Sequence, residues 1–315
     1  MQLFSRYKHH SSAPHVALIL VQLFFGTWPV VGKIVLRSIP STGLVAFRVT
    51  GAAVAFAILR RRLGRLGKLS KRDLAWLVLC SLLGVILNQF LFVKGLSLTT
   101  VINATLLGTT IPVFTLVISI ALGHDRPSLR RVAGILLAAA GVIYLVDPLR
   151  ATFSSETTMG NVLIVANSLS YGAYIAISGG LFRRYGALNV ITLMFLIGAI
   201  VTLPVGGLTL DRERLESAGL IVWLSLVYIV VVPTVGAYYL NAWALTKVRP
   251  STVATYIYLQ PLIAFSIAPL VLGEKWNSRT LIASLLIFAG VGLVTKRGRS
   301  SAVKEVAEHP EALAH

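Results

Sequence analysis

Charged side chains are scarce in this 315-residue chain: 13% of it is Asp, Glu, Lys or Arg, against 56% hydrophobic residues. An ordinary soluble domain carries about 25% charged residues. So few charges cannot cover a globule in water, which excludes a soluble enzyme, a coiled coil or a disordered tail. Cysteine is nearly missing as well. Cys80 stands alone, so no intrachain disulfide can form and a cysteine-based metal site has no ligand set. It lies in an apolar run and reads as packing. The 11 acidic residues and the 6 histidines all fall in loops, tails or the ends of apolar runs. No carboxylate or imidazole is left in mid-run to relay protons. No Walker loop, metal cluster or nucleophile–base motif is present, so no catalytic residue, cofactor or metal is expected.

What the chain has is long apolar runs, about 15–22 residues each, the length of a bilayer crossing. Ten are predicted as helices: Val16–Leu36, Thr42–Leu59, Leu74–Val93, Val101–Leu122, Val132–Val146, Val162–Phe182, Ala187–Leu208, Leu220–Leu240, Thr252–Leu272 and Leu281–Val294. Barrel strands would alternate over about ten residues rather than run continuously apolar. The expected fold class is an all-α polytopic membrane protein. Arg6 and Lys8 precede the first run as in a signal peptide. The run is longer than a signal core and lacks a small-residue cleavage site, so it reads as a retained span.

The net charge of +18 would suggest nucleic acid in a soluble chain. Beside apolar spans it has another reading, because cytoplasmic loops collect Lys and Arg. With the N-terminus inside, the inner segments hold 20 Lys and Arg and the outer segments 7. The run from Arg60 to Arg72 weighs most. Both termini are expected in the cytoplasm, in a bacterial plasma (inner) membrane, with the lipid bilayer as partner and no nucleic acid.

The second half echoes the first at a shift of 149 residues. Pro112 meets Pro261, Ile118 meets Ile267, Asp125-Arg126 meets Glu274-Lys275, and Ala140-Gly141-Val142 meets Ala289-Gly290-Val291. Five spans per half is an odd number, so the second half enters the membrane upside down. That is an inverted-topology repeat, an architecture suited to alternating access around a midplane site. The predicted organisation is a cytoplasmic tail 1–15, a first repeat 16–146, an external linker 147–161, a second repeat 162–295 and a cytoplasmic tail 296–315.

Each half resembles the EamA repeat of the drug/metabolite transporter superfamily. The first half carries Phe25-Gly26-Thr27-Trp28-Pro29-Val30, Ala46-Phe47-Arg48, Pro112, Gly134 and Gly141. The second carries Tyr171-Gly172-Ala173-Tyr174, Gln260-Pro261, Leu272-Gly273-Glu274-Lys275 and Gly290. The first half departs from the pattern at Leu122-Gly123-His124-Asp125, where the acid falls one place late. The resemblance covers about residues 16–296. It implies a ten-helix transporter, usually an exporter, whose central cavity is lined by helices 1, 3, 4, 6, 8 and 9.

Polar side chains inside a membrane should face a cavity or another helix. Gln22, Gly26, Pro29 and Lys33 share one face of the first span, and Asn167, Tyr171, Tyr174 and Ser178 share the matching face of the sixth. The predicted substrate-binding residues are Gln22, Trp28, Asn88, Asn103, Asn167, Tyr171, Tyr256 and Gln260. Tyr228, Tyr238 and Tyr239 flank Pro233 in the eighth span as further candidates. Arg48 lies well inside the second span, where a charge is a functional candidate by default. It is assigned to structure or gating together with Pro112, Pro233 and Pro261, whose missing donors bend helices. Gly134-xxx-Ala138 reads as a helix-packing face.

The resulting expectation is a secondary transporter, an exporter of small neutral or zwitterionic, amino-acid-like metabolites. The alternative on the same fold is a carrier of sugar phosphates or nucleotide sugars, which calls for cations in helices 4 and 9 to hold phosphate. A distant alternative is an intramembrane lipid-modifying enzyme using Asp125, His124 or Glu274. A non-transporting sensor would need a soluble domain to relay its signal.

Overall fold

A computed structural model describes residues 12–61, 69–123, 128–146, 156–211, 215–248, 250–275 and 277–295. Among them the secondary structure is helical, with no strand. Seven helices are long and apolar enough to cross a membrane: α1 (Ala13–Leu36), α2 (Ser41–Arg60), α3 (Lys71–Leu98), α4 (Val101–Ala121), α6 (Glu156–Tyr185), α7 (Ala187–Gly207) and α8 (Leu220–Leu245). The remaining rods are α5 (Leu129–Val146), α9 (residues 250–272) and α10 (Ser278–Thr295). Their apolar stretches, Val132–Leu145, Tyr256–Leu272 and Ser278–Gly290, are shorter. Large apolar side chains point outward around the bundle: Ile200, Leu220 and Leu285 are 72–74% exposed. A surface of that kind calls for lipid rather than water.

Local chemistry sets the helix ends. Ser70 accepts from the Asp73 amide to start α3, and Thr100 accepts from the Asn103 amide to start α4, each taking up one of the unpaired donors of a first turn. Between α6 and α7 a single residue turns the chain. It is Gly186, at φ +79°, a backbone conformation that side chains with a Cβ resist.

Four helices are irregular, and the irregularities match in pairs under the 149-residue shift. α3 contains a π segment at Leu82–Leu87, and α8 contains one at Val230–Gly236. α4 stops at Gly108 and restarts at Ile111, with Pro112 in its new first turn. α9 passes through a 3₁₀ turn, Tyr256–Tyr258, before an α-helical piece Leu259–Leu272 that carries Pro261 in its first turn. The sequence places bends at the two prolines. In the structure each break lies about one turn earlier, and each proline opens the following piece, where its missing N–H costs nothing. At the break the Thr109 and Thr110 hydroxyls donate to the Leu106 and Leu107 carbonyls, both at 2.6 Å, beside the backbone amides of the same two residues.

The packing is symmetric when each helix is exchanged for the one five positions later. α1 packs on α9 as α6 packs on α4; α1 packs on α8 as α6 packs on α3; α2 packs on α8 as α7 packs on α3. α2 with α7, and α5 with α10, pair with their own counterparts. These two self-pairs are the tightest. A Cβ at Gly206 would fall on Ala46, and one at Gly290 would fall on the Ala138 backbone and the Gly134 carbonyl. Apolar side chains gain little from one another in lipid, so close backbone approach through small residues supplies the contact.

Candidate functional site

α8 contains the local device from which the site is built. An α-helical residue 233 would donate its N–H to the Ile229 carbonyl. Pro233 has none, so that carbonyl is freed. The Thr234 hydroxyl donates to it at 2.6 Å, inside a π segment whose backbone bonds run from residue i+5 back to residue i. The same hydroxyl oxygen accepts from Arg48 Nε at 3.1 Å. Arg48, on α2, is 2% exposed, and its guanidinium carbon lies 3.7 Å from the centre of the Trp28 ring. A guanidinium over an indole face is a favourable cation–π geometry, stronger when desolvated. Among the described residues no carboxylate pairs with Arg48, and its terminal nitrogens have no hydrogen-bond partner.

One turn further along α8, the Tyr238 hydroxyl donates to Asn88 Oδ1 at 2.9 Å and accepts from Gln89 Nε2 at 2.9 Å. Both amides follow directly on the π segment of α3. Asn167, on α6, donates to the Asn88 carbonyl at 2.8 Å, and Asn241 donates to the Tyr171 hydroxyl at 3.3 Å. Tyr171 and Phe25 stand edge-on to Tyr238. The Gln89 carbonyl oxygen is buried and has no partner.

These groups surround a cavity of about 60 Å³, room for only a few waters. α1, α3, α4, α6, α8 and α9 line it, with Arg48 reaching in from α2. The wall of α4 is its broken stretch, Gly108 and Ile111, preceded by Ala104 and Thr105.

Of the predicted residues, Trp28, Arg48, Asn88, Asn167, Tyr171 and Gln260 stand on this wall, as does Tyr238 from the further candidates. Gln22 is one step behind it, accepting from Gln260 Nε2 at 2.7 Å. Two others lie elsewhere. Asn103 sits in the first turn of α4, 3.4 Å from the Thr280 hydroxyl of α10. The Tyr256 hydroxyl is 2.7 Å from His15 Nδ1, at the start of α1. Both sit near span ends rather than beside the wall, and each meets a partner there. Pro112, Pro233 and Pro261 are off the wall and act on it through the breaks and the π segment.

Gln89 and Thr234 escaped the sequence reading. Gln89 lies 100° around an ideal helix from Asn88, and the π segment before it shifts the phase so that both reach the cavity. Nothing in Leu82–Leu87 announces that shift. Thr234 could have been found, because a hydroxyl next to an intrahelical proline is placed to take the freed carbonyl.

The acid candidates are accounted for in part. Glu274 accepts from the Val101 and Ile102 amides at 2.7 and 3.0 Å, the arrangement of a carboxylate at a helix N-terminus. His124 and Asp125 lie outside the described residues. Among the described residues no acid or histidine reaches the cavity, and no cluster of His, Cys, Asp and Glu could hold a metal ion.

The sequence model of the EamA-like transporter family matches residues 13–146 and 158–296. An uncharacterized transporter of Archaeoglobus fulgidus is 27% identical, over 91% of this chain and 99% of its own length. A WAT1-related protein of Arabidopsis thaliana is 22% identical, over 91% of this chain and 85% of its own. A probable terminal-alkyne amino-acid exporter of Streptantibioticus cattleyicolor is 26% identical, over 81% of this chain and 84% of its own. One protein crystal structure superposes with a TM-score of 0.65 at 20% identity, over 90% of this chain and 97% of that one, which shows a shared fold.

Proposed function

The chain belongs to the EamA-like transporter family, a multi-pass membrane protein by family and by its apolar helices, and from that premise we propose that it exports small neutral or zwitterionic, amino-acid-like metabolites by alternating access. The observation that carries this reading is the central cavity, walled by amides and aromatic rings around one buried guanidinium. Ten crossings in two inverted five-helix repeats, 16–146 and 162–295, complete the reading. The paired π segments, the paired broken helices and the exchange-symmetric packing support it, as does a family model that matches in two stretches. Broken helices bordering a central site are the usual anatomy of such repeats. The amino-acid exporter among the relatives supports the substrate class. Both termini lie in the cytoplasm, and the membrane is the bacterial plasma (inner) membrane.

Sugar phosphates and nucleotide sugars fit less well. A phosphate carries up to two charges and favours several cations, whereas Arg48 is the one cation on the wall among the described residues. The enzyme alternative loses Glu274 to helix capping.

Counterflow in proteoliposomes tests the proposal: purified protein is loaded with unlabelled amino acids, and labelled ones are offered outside. Accumulation that an unrelated membrane protein does not produce is expected. Uptake of labelled sugar phosphates with none of amino acids would overturn the substrate assignment.

A further inference from the structure

Arg48 is bound at one edge and one face only. Thr234 takes Nε and Trp28 takes the face of the guanidinium. The far edge carries both terminal nitrogens and has no protein partner among the described residues, and Arg48 is part of the cavity wall. A planar fork of N–H donors matches a carboxylate, which it can hold through two parallel hydrogen bonds. A buried cation with no counter-ion among the described residues is costly, so this site favours a ligand that brings negative charge.

Gln89 adds a second demand. Its Nε2 is committed to Tyr238, and its carbonyl oxygen is a buried acceptor with no donor. Both anchors stand on α8: Thr234 for Arg48, Tyr238 for Gln89. Thr234 lies in the π segment and Tyr238 just after it, so the two anchors are close along the chain. Apolar surface from Phe25, Phe92 and Ile111 fills out the wall.

We propose that the substrate is an α-amino acid whose carboxylate is held by the free edge of Arg48 and whose amino group donates to the Gln89 carbonyl oxygen. This rests on the transporter reading above and deepens it. Arg48 then contacts substrate directly rather than serving as a structural strut. The cavity selects by what it leaves unpaired. An amino amide or amino alcohol leaves the guanidinium edge empty. A carboxylic acid without the amino group leaves the Gln89 oxygen empty. Sites built to pair a polar group reject analogues lacking it far more strongly than apolar pockets discriminate by size.

The test is competition for counterflow of labelled leucine, phenylalanine and alanine by each one's amide and by its desamino acid. In the wild-type protein both analogue classes should compete roughly tenfold to hundredfold more weakly than the amino acid, the worth of one lost hydrogen bond to a charged or buried group. In Arg48→Gln the KM for the amino acid should rise by a similar factor, and the amide should compete as well as the acid. In Gln89→Leu, discrimination against the desamino acid should vanish while discrimination against the amide persists. A merely structural Arg48 would weaken transport of every compound alike. Should either variant fail to fold, the wild-type competition series decides by itself. Equal competition by amide and amino acid would overturn this inference and leave the transporter reading intact. Absence of transport for all three amino acids would overturn both.

Discussion

Thr234 shows how one residue links backbone to site. Its hydroxyl hydrogen goes to the carbonyl that Pro233 frees, and its oxygen receives Arg48. Valine has nearly the same shape and neither capacity. Thr234→Val should therefore leave Arg48 Nε unpaired inside the membrane, at a cost of about 1 kcal/mol or more. Thermal unfolding in detergent should fall by several degrees. The KM for amino acids should rise as the guanidinium loses its tether, and Thr234→Ser should recover both. A valine variant with wild-type Tm and KM would remove Thr234 from the site. The same view explains why Asn103 and Tyr256 are poor guides. Both are polar residues on apolar helices, yet one meets Thr280 and the other His15.

At the scale of the helix, the four irregular rods matter most. α3 and α8 carry the π segments, and the amides, Thr234 and Tyr238 follow from them. α4 and α9 carry the breaks, and Gly108 and Ile111 bring the break in α4 to the cavity. A cavity of about 60 Å³ has to enlarge to admit an amino acid, and the broken rods are the elements able to flex. Pro261 holds the restart of α9 in place and prevents an uninterrupted helix. Pro261→Ala should slow transport per folded molecule more than it lowers folded yield, since hinge residues act on rate. Counterflow rates normalised to the monodisperse fraction in gel filtration provide the measurement. Unchanged rates would make the break a static kink.

Over the whole molecule, two expectations follow. The charge asymmetry of 20 against 7 predicts that reporter fusions after residues 66 and 300 read cytoplasmic and that a fusion near residue 155 reads external. An external C-terminus would remove the ten-crossing arrangement. Energy coupling is the second expectation. Coupling to protons through the protein needs a titrating group at the site, normally Asp, Glu or His. Among the described residues none lines the cavity. Transport should therefore run down the substrate's own gradient or by exchange, and counterflow at equal pH on both sides should proceed undiminished. If a proton gradient alone drove uphill accumulation of a substrate that does not titrate, that expectation would fail, and Asp125 and Glu274 would be the first residues to replace.

Hydrophobic spacing alone was enough to mark apolar helices, because a bilayer demands long runs whatever their neighbours, and the Gly134-xxx-Ala138 face was legible because small residues at that spacing have one use in lipid. The paired prolines marked the rods that break, since a missing N–H is a property of the residue itself. The cavity was another matter. Seven of the candidate residues reach its wall, but Gln89 does so only because the π segment of α3 turns it inward, and that segment contains no proline or polar residue to betray it. The role of Arg48 was hidden for the same reason. Its tether lies 186 residues away, and its want of a counter-ion among the described residues is a fact about every helix around it. A span's own sequence sets its length and its faults; which polar groups are left unpaired at the centre is decided only when all the helices have packed.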